Sequence, residues 1–368
     1  MKFINLQKQY YALKKDIDKN IKNIIQKTNF ILGDEVKLFE KKISKYVNSK
    51  FCVSVASGTD ALLLSLIALG IKKNDEVITT NFSFISAVEV IKQINAIPVL
   101  IDINKENANI DAKLIEKKIT KKTKAILFVN LFGNIVDYDS ILKLAKKYKL
   151  KLIEDAAQSF GAKYKNKMSC NLGDLSCTSF FPTKGLGGYG DGGAIFCNNI
   201  NMHNRLKELR NHGQLKKYQY IKTGFNSRLD TLQASILLAK LKYFKIELKK
   251  RKDRYLIYKK LLKKLVDKKY LYLLENTKGC IPSYSYFNIV VRKQRNQLEK
   301  YLTKNNVPFN IYYPKPLNKY KFLNISSKIQ FPNSNYLSKK ILGLPFDPYI
   351  TKKEQYKVVN VIEKFYNV

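Results

Sequence analysis

Short apolar runs alternate with amphipathic segments between about residue 50 and residue 200. The runs FCVSVAS, EVITT, AIPVLID, KAILFVN, KLIED and GAIFC are typical of buried β-strands, and ALLLSLIAL, AKLIEKKI and DSILKLAKKY have helical spacing. This alternation predicts βαβ units, and therefore an α/β fold with a mostly parallel central sheet covered by helices. Ligands of such a sheet bind at the carboxyl ends of its strands.

Helical patterns flank this region. The first 48 residues predict two helices with a break at Gly33-Asp34. After Asp230, the run TLQASILLAKLKYFKIELKKRKDRYLIYKKLLKK has apolar residues at three- and four-residue spacing, which predicts a long helix between two domains. Strand-like YLYLL and YFNIVV then alternate with helical QLEKYLTKN and KEQYKVVNVIEKFY. We therefore predict a large domain of residues 1–245 and a smaller α+β domain of residues 246–368.

The chain of 368 residues carries a formal net charge of +39, from 68 Lys+Arg against 29 Asp+Glu. Such a charge is common in nucleic-acid-binding proteins. The lysines are nevertheless spread along the whole length, and neither zinc-finger spacing nor an RNP-like run accompanies them. A solvated, lysine-rich surface is the favoured interpretation, with no nucleic-acid partner. The positive field still favours an anionic small substrate.

Cysteine and histidine usage narrows the chemistry further. The five cysteines are odd in number and lack a CxxC pair, which indicates neither a disulfide framework nor a zinc site. The two histidines make a histidine-dependent triad or a metal site improbable. The first twenty residues lack the apolar segment of a signal peptide, and no apolar run reaches the roughly 20 residues that span a bilayer. We expect a cytoplasmic protein without a metal or a membrane partner.

A lysine stands in a glycine-rich segment, SFFPTKGLGGYGDGG, that begins at Ser179. Surface exposure is the default for one lysine among so many, but Pro182 precedes Lys184 and six glycines follow it within nine residues. This composition predicts a close-approach bend, in which a partly desolvated lysine can have a lowered pKa and form an imine. The segment also contains a literal G-x-G-x-x-G, but it leads into a strand instead of a helix, so a dinucleotide site is rejected.

An acid ends the predicted strand KLIED at Asp155. A pyridoxal phosphate (PLP) enzyme needs a Schiff-base lysine and a carboxylate beside the pyridine nitrogen, and Lys184 and Asp155 supply both. Glu154 competes for the second role, but adjacent strand residues point to opposite faces, so only one of the two can face the ring. Gln158 lies three residues beyond Asp155 and can reach the same cofactor from the following turn.

Ser57-Gly58-Thr59-Asp60 lies between an apolar strand and the helical run ALLLSLIAL. Amides and hydroxyls at a helix N-terminus form an anion site, although an ordinary N-cap explains the segment equally well by itself. Together with Lys184, the segment is better interpreted as a phosphate site.

On these motifs the chain resembles the DegT/DnrJ/EryC1/StrS family, the PLP-dependent aminotransferases of nucleotide-sugar biosynthesis. The resemblance runs almost end to end through SGTDALLLSL at 57, DEVITTNFSFISA at 75, IEDAAQSFGAKY at 153, SFFPTKGLGGYGDGGAI at 179, LRNHG at 209, GFNSRLDTLQASIL at 224, IYYPKPL at 311 and LPFDP at 344. It implies the type I fold of aspartate aminotransferase and a homodimer with shared active sites.

The resemblance also implies a role for each matching residue. Lys184 would bind PLP covalently, Asp155 would pair with the pyridine nitrogen, and Gln158 would bond the ring hydroxyl. The remaining implied contacts are Gly58, Thr59 and Ser179 to the phosphate, Asn226 of the partner subunit to the same phosphate, Phe84 stacked on the ring, and Arg228, Tyr312 and Tyr313 facing the sugar nucleotide.

The chain departs from the family pattern at three positions. Asn130 and Tyr312 stand where many members have His, and Gly185 replaces a common Asn or Pro; we interpret these differences as bearing on the substrate. Members that act as dehydratases have His in place of the lysine, so Lys184 argues against that activity.

The segment from Gln158 to Phe196 resembles aminotransferases that act at C3 of a UDP-linked 3-keto sugar in O-antigen pathways. A dTDP-linked 3-keto-6-deoxyhexose and a 4-keto UDP sugar are the alternative substrates. A PLP-binding dehydratase or regulatory protein is the alternative class. The leading hypothesis is a transaminase that uses L-glutamate as amino donor.

Overall fold

A computed structural model describes residues 1–325 and 330–368. Its strands in chain order are β1 (Phe51–Val55), β2 (Glu76–Thr80), β3 (Ile97–Ile101), β4 (Thr123–Val129), β5 (Lys151–Asp155), β6 (Lys163–Tyr164), β7 (Lys167–Met168), β8 (Leu175–Ser179), β9 (Gly193–Cys197), β10 (Gln214–Lys216), β11 (Gln219–Tyr220), β12 (Leu271–Leu273), β13 (Cys280–Ile281), β14 (Phe287–Val291) and β15 (Ile341–Leu344).

The helices are α1 (Leu6–Lys27), α2 (Asp34–Val47), α3 (Gly58–Ala68), α4 (Ser86–Gln93), α5 (Ala112–Ile115), α6 (Tyr138–Tyr148), α7 (Ile200–Arg210), α8 (Thr231–Leu241), α9 (Phe244–Leu261), α10 (Lys263–Asp267), α11 (Arg295–Lys304), α12 (Pro332–Lys340) and α13 (Lys352–Phe365). Short 3₁₀ turns occupy Glu116–Lys118, Leu131–Gly133, Leu317–Lys319 and Lys321–Leu323. Within the described parts of the chain, no helix is both long and apolar enough to cross a membrane.

The central sheet has seven strands in the order β1-β9-β8-β5-β4-β2-β3. Strands β8, β5, β4, β2 and β3 run parallel, and β9 is antiparallel to both of its neighbours. The predicted α/β fold with a mostly parallel sheet is therefore confirmed. Because β1 and β8 both oppose β9, the carboxyl ends of β1, β8, β5 and β4 meet at one edge of the sheet, where ligands are expected.

Helix α3 brings its N-terminus to this edge. It is apolar on nearly all sides, with six buried residues, as expected for a helix enclosed by the core. The hydroxyl of Ser57 caps it by accepting a hydrogen bond from the Asp60 amide at 3.0 Å. The helix packs on β8 and β9, so its first turn lies beside the carboxyl end of β8.

The two predicted N-terminal helices are present as α1 and α2, with Gly33 as the N-cap of the second. The long helical run predicted after Asp230 is present, but it is divided between two helices, α8 and α9. At the break, the Tyr243 amide bonds the Lys240 carbonyl three residues back, and the Tyr243 hydroxyl donates to Asp16 of α1 at 2.6 Å. A contact between distant segments thus fixes the break.

The C-terminal part contains the predicted alternation of strands and helices. Strands β12, β14 and β15 form an antiparallel three-stranded sheet, and α13 packs against both α9 and α11. Tyr258 of α9 and Phe287 of β14 belong to the hydrophobic cluster of this region. Helix α9 spans residue 245, so the division into domains 1–245 and 246–368 stays a prediction.

Candidate active site

A cavity of about 480 Å³ opens at the carboxyl edge of the central sheet. It brings together nine of the eleven residues that the sequence assigned to the site: Gly58, Thr59, Phe84, Asp155, Gln158, Ser179, Lys184, Tyr312 and Tyr313. The other two, Asn226 and Arg228, do not line it. The cavity is thus built from segments far apart in the chain, from Ser57 to Tyr313.

Asp155 is the last residue of β5, and its side chain is buried at the cavity wall. Its Oδ1 accepts a hydrogen bond from the Ala157 amide at 3.0 Å. Burial raises the pKa of this carboxyl, whereas the Ala157 amide and the charge of Lys184 act in the opposite direction. A cationic ring nitrogen beside Asp155 would offset the cost of its desolvation.

Glu154, its neighbour, points to the opposite side of the sheet and is fully buried. The Glu154 carboxylate accepts hydrogen bonds from Asn130 Nδ2 at 2.9 Å, Ser169 Oγ at 2.8 Å, and the amides of Cys170 and Leu172 at 3.0 Å each. It does not line the cavity, so only Asp155 can face a ligand there.

Asn130 serves this buried network. In addition to its bond with Glu154, its Oδ1 accepts from the Val136 amide at 3.1 Å, and its side chain is fully buried. The interpretation that Asn130 bears on the substrate is therefore wrong. It supports the carboxylate behind the sheet and does not line the cavity.

Lys184 lies in a bend of the loop between β8 and β9, and not on a helix. Its amide donates to the Phe181 carbonyl at 2.8 Å, and the Phe180 amide donates to Gly192 O at 2.7 Å, so the loop folds back on itself. The glycine-rich run leads into β9, which supports the rejection of a dinucleotide site. Burial lowers the pKa of Lys184, and nearby Asp155 partly opposes this shift.

The first turn of α3 forms one corner of the cavity together with the end of β8. A Cβ on Gly58 would lie 2.7 Å from the Cβ of Ser179, so glycine is required for this close approach. The Ser57 hydroxyl already caps the helix. The first-turn amides of Gly58 and Thr59 and the hydroxyls of Thr59 and Ser179 are therefore the groups available to bind an anion.

Gln158 connects two walls of the cavity. Its Oε1 accepts from the Phe132 amide at 2.9 Å, and its Nε2 donates to the Tyr313 hydroxyl at 2.8 Å. Because a primary amide has two donors, the second hydrogen of Nε2 can bond a ligand. Burial raises the pKa of Tyr313, which keeps this hydroxyl protonated.

Phe84 lies at the mouth of the cavity with 57% of its surface exposed. Asn226 is exposed in the single chain, and Arg228 Nη1 donates to Asn211 Oδ1 at 3.0 Å. Between them, the Ser227 hydroxyl donates to Asp60 of α3 at 2.6 Å. The segment from Asn226 to Arg228 therefore passes the first turn of α3 without lining the cavity of its own chain.

Eight lining residues had received no role from the sequence: Leu62, Ser86, Val129, Ala157, Phe181, Thr183, Asp191 and Tyr286. Phe181, Thr183 and Asp191 lie inside the lysine loop, and Val129 pairs with Asp155 across two parallel strands, so motif position and strand register could have indicated them. Tyr286 directly precedes β14, and its place in the wall depends on long-range packing that no local pattern encodes.

These residues fit PLP in three places at once. Lys184 can reach an aldehyde, Asp155 can pair with a pyridine nitrogen, and the first turn of α3 with Ser179 can hold a phosphate. Within the described residues, no group of three or more His, Cys, Asp and Glu is placed to hold a metal ion. The fold and the site together define an aminotransferase-type PLP enzyme.

Comparison with known proteins identifies the family. Residues 12–363 match the profile of the DegT/DnrJ/EryC1/StrS aminotransferase family. The chain is 39% identical over 357 residues to the UDP-2-acetamido-2-deoxy-3-oxo-D-glucuronate aminotransferase of Pseudomonas aeruginosa, covering 95% of this chain and 96% of that protein. It is 37% identical to the dTDP-3-amino-3,6-dideoxy-alpha-D-galactopyranose transaminase of Aneurinibacillus thermoaerophilus, covering 99% of each chain.

A crystal structure of a DegT DnrJ EryC1 StrS aminotransferase from Brucella abortus superposes on the whole chain with a TM-score of 0.95 at 33% identity, covering 100% of both chains. The chain belongs to the DegT/DnrJ/EryC1/StrS aminotransferase family. It is an aminotransferase whose cofactor is PLP.

Reduction with borohydride should fix PLP to Lys184 and to no other lysine. The expected result is one modified tryptic peptide, residues 168–205, identified by mass spectrometry, because Lys184 is the lysine that lines the cavity and has a burial-lowered pKa. Lys184→Ala is the matched variant and should lose the modification. Labelling of another lysine at similar yield in the native protein would contradict the assignment.

Proposed function

We propose that this PLP-dependent sugar aminotransferase transfers the amino group of L-glutamate to C3 of a UDP-linked 3-keto sugar. The observation that carries the proposal is that Lys184 and Asp155 line the same cavity as Tyr312 and Tyr313. Lys184, Asp155 and the first turn of α3 would serve PLP, and the two tyrosine hydroxyls would serve a sugar. The relative from Pseudomonas aeruginosa, whose name specifies a UDP-linked 3-oxo sugar, supports the choice of acceptor.

PLP, when bound, supplies a ring that withdraws electrons from the carbon next to the amino nitrogen. Lys184 carries the proton between substrate carbon and cofactor, since burial lowers its pKa and makes its amine available as a base. Asp155 keeps the ring nitrogen protonated, and the Ala157 amide orients its carboxylate. Gln158 donates to the Tyr313 hydroxyl, whose own hydrogen can then be donated to a ligand.

The acidic donor and the diphosphate of the acceptor are both anions. A chain with a net charge of +39 favours their approach, and the surface field acts on each of the two substrates in turn. We further propose that the enzyme acts in the cytoplasm, in bacterial surface-polysaccharide biosynthesis, as the resemblance to O-antigen enzymes implies.

L-glutamate alone should bleach the yellow band of the PLP-loaded protein. The amino group then resides on the cofactor, and 2-oxoglutarate appears in equal amount. Asp155→Asn should slow this bleaching by about 100-fold or more, because the ring nitrogen loses its anionic partner. Stopped-flow absorbance and quantification of 2-oxoglutarate check both statements. A band that persists in glutamate would reject the donor and favour the regulatory class of protein.

The amino-loaded protein should then react with one acceptor in a panel of keto-sugar nucleotides. We expect the UDP-linked 3-keto sugar to restore the yellow band and to give an amino-sugar product by mass spectrometry. Faster turnover of a dTDP-linked 3-keto-6-deoxyhexose or of a 4-keto UDP sugar would assign the alternative substrate instead. Such a result would leave the glutamate half-reaction unaffected.

We also propose a homodimer in which Asn226 and Arg228 serve the partner's cavity. Two observations support this arrangement: both residues lie outside the cavity of their own chain, and the Phe84 ring at its mouth is exposed. A symmetric pair that exchanges such segments would complete two sites.

Mixing two inactive variants tests this arrangement. Lys184→Ala and Arg228→Ala subunits, unfolded together and refolded, should recover about one quarter of the wild-type activity. The mixed dimer holds both defects in one site and leaves the other intact. If Arg228 served its own chain, every site would carry one defect, and the mixture would stay inactive. Each variant refolded alone is the control.

A further inference from the structure

The position of Lys184 depends on a glycine contact within its own loop. A Cβ on Gly187 would lie 2.4 Å from the carbonyl oxygen of Pro182 and 2.8 Å from that of Phe181. The Gly188 amide also donates to Phe180 O at 2.7 Å. The Gly187–Gly188 turn therefore packs directly against the backbone that leads into Lys184.

A buried lysine of helix α8 holds this turn. Lys240 of α8 is 1% exposed, and its Nζ donates to the Gly187 carbonyl at 2.6 Å. The same Nζ lies 4.3 Å from the centre of the Tyr189 ring, within range of a cation–π interaction. Gln233, also on α8, accepts from the Tyr189 amide at 2.8 Å. Two side chains of one helix thus bind consecutive parts of the lysine loop.

The burial of Lys240 is costly unless these contacts compensate for it. Burial lowers its pKa to about 8, and the negative charge of Glu247 acts against that shift. Glu247 is itself fixed, because its carboxylate accepts from Gln9 Nε2 at 3.0 Å and from the Tyr349 hydroxyl at 2.7 Å. Lys240 is thus a buried cation with an oriented counter-charge, and it does not line the cavity. Such a residue is a candidate for a positioning role.

We propose that Lys240 is the positioning residue of the lysine loop: its hydrogen bond to the Gly187 carbonyl holds the backbone that places Lys184 in the PLP site. Removing Lys240 leaves a buried carbonyl unsatisfied and frees the turn behind Lys184. The inference rests on the role of Lys184 in the proposed function, but on neither the donor nor the acceptor.

Hydrogen exchange of the cofactor-free protein tests the proposal without any activity assay. In Lys240→Met, the amides of residues 180–192 should exchange at least about tenfold faster than in the wild type, since local opening of the loop becomes easier. PLP release from the loaded protein should accelerate by a similar factor, measured as the decay of the yellow band after capture of free PLP. Lys240→Arg keeps a donor and a charge and should recover most of both effects.

Tyr258→Phe is the matched control. The Tyr258 hydroxyl donates to the Pro345 carbonyl at 3.0 Å, so this variant also removes a buried bond to a backbone carbonyl, but far from the loop. It should speed exchange near residue 345 and leave residues 180–192 and PLP release unchanged. If Lys240→Met failed to fold, Lys240→Gln, which keeps a polar amide near the carbonyl, would carry the same two measurements.

The measurements distinguish a failure of the positioning role of Lys240 from a failure of the proposed function. Wild-type exchange of residues 180–192 in a folded Lys240→Met or Lys240→Gln variant would overturn the positioning role, as would an equal effect of Tyr258→Phe on that segment. If the wild-type protein took up no PLP, the proposed function would fail, yet the exchange pattern would still decide whether Lys240 holds the loop.

Discussion

The whole site depends on keeping an amine and a carboxylate in one partly desolvated cavity. Burial lowers the pKa of Lys184 and raises that of Asp155, so each group is held in an environment that opposes its charge, and each partly relieves the other. Burying these two groups lowers the stability of the fold, a loss that is typical of functional sites. The surrounding fold must therefore supply the rigidity that keeps both groups facing the cofactor.

The two acids at the end of β5, Glu154 and Asp155, show how the fold supplies this rigidity. Glu154 is surrounded by four hydrogen-bond donors behind the sheet, which lets a buried carboxylate serve as a structural anchor for the segment from Ser169 to Leu172. Asp155 has the Ala157 amide and is otherwise left for the ligand. Adjacent residues of a strand point to opposite faces, so Glu154 is fully hydrogen-bonded behind the sheet and Asp155 faces the cavity. A shift of one residue in strand register would exchange the two positions.

Most of the architecture and the central chemistry could be predicted from the sequence, because strand alternation, the glycine-rich bend at Lys184 and the acid at Asp155 are local signals. The break between α8 and α9 could not, since it depends on the contact of Tyr243 with Asp16 of a distant helix. Tyr286 and Lys240 were missed for the same reason. Asn130 was misread because sequence alone gave no sign that it bonds Glu154 behind the sheet.

Under the proposed function, the residues of the cavity are under different constraints. Lys184, Asp155 and the first turn of α3 would have to match one cofactor, so their geometry leaves little freedom. Tyr312, Phe181 and Phe84 also line the cavity, and under the proposed function a change of side chain there would alter the shape offered to a ligand. Two relatives of nearly equal identity, 39% and 37%, bear names that specify different sugars and different nucleotides. Overall similarity of this degree is therefore compatible with more than one sugar acceptor.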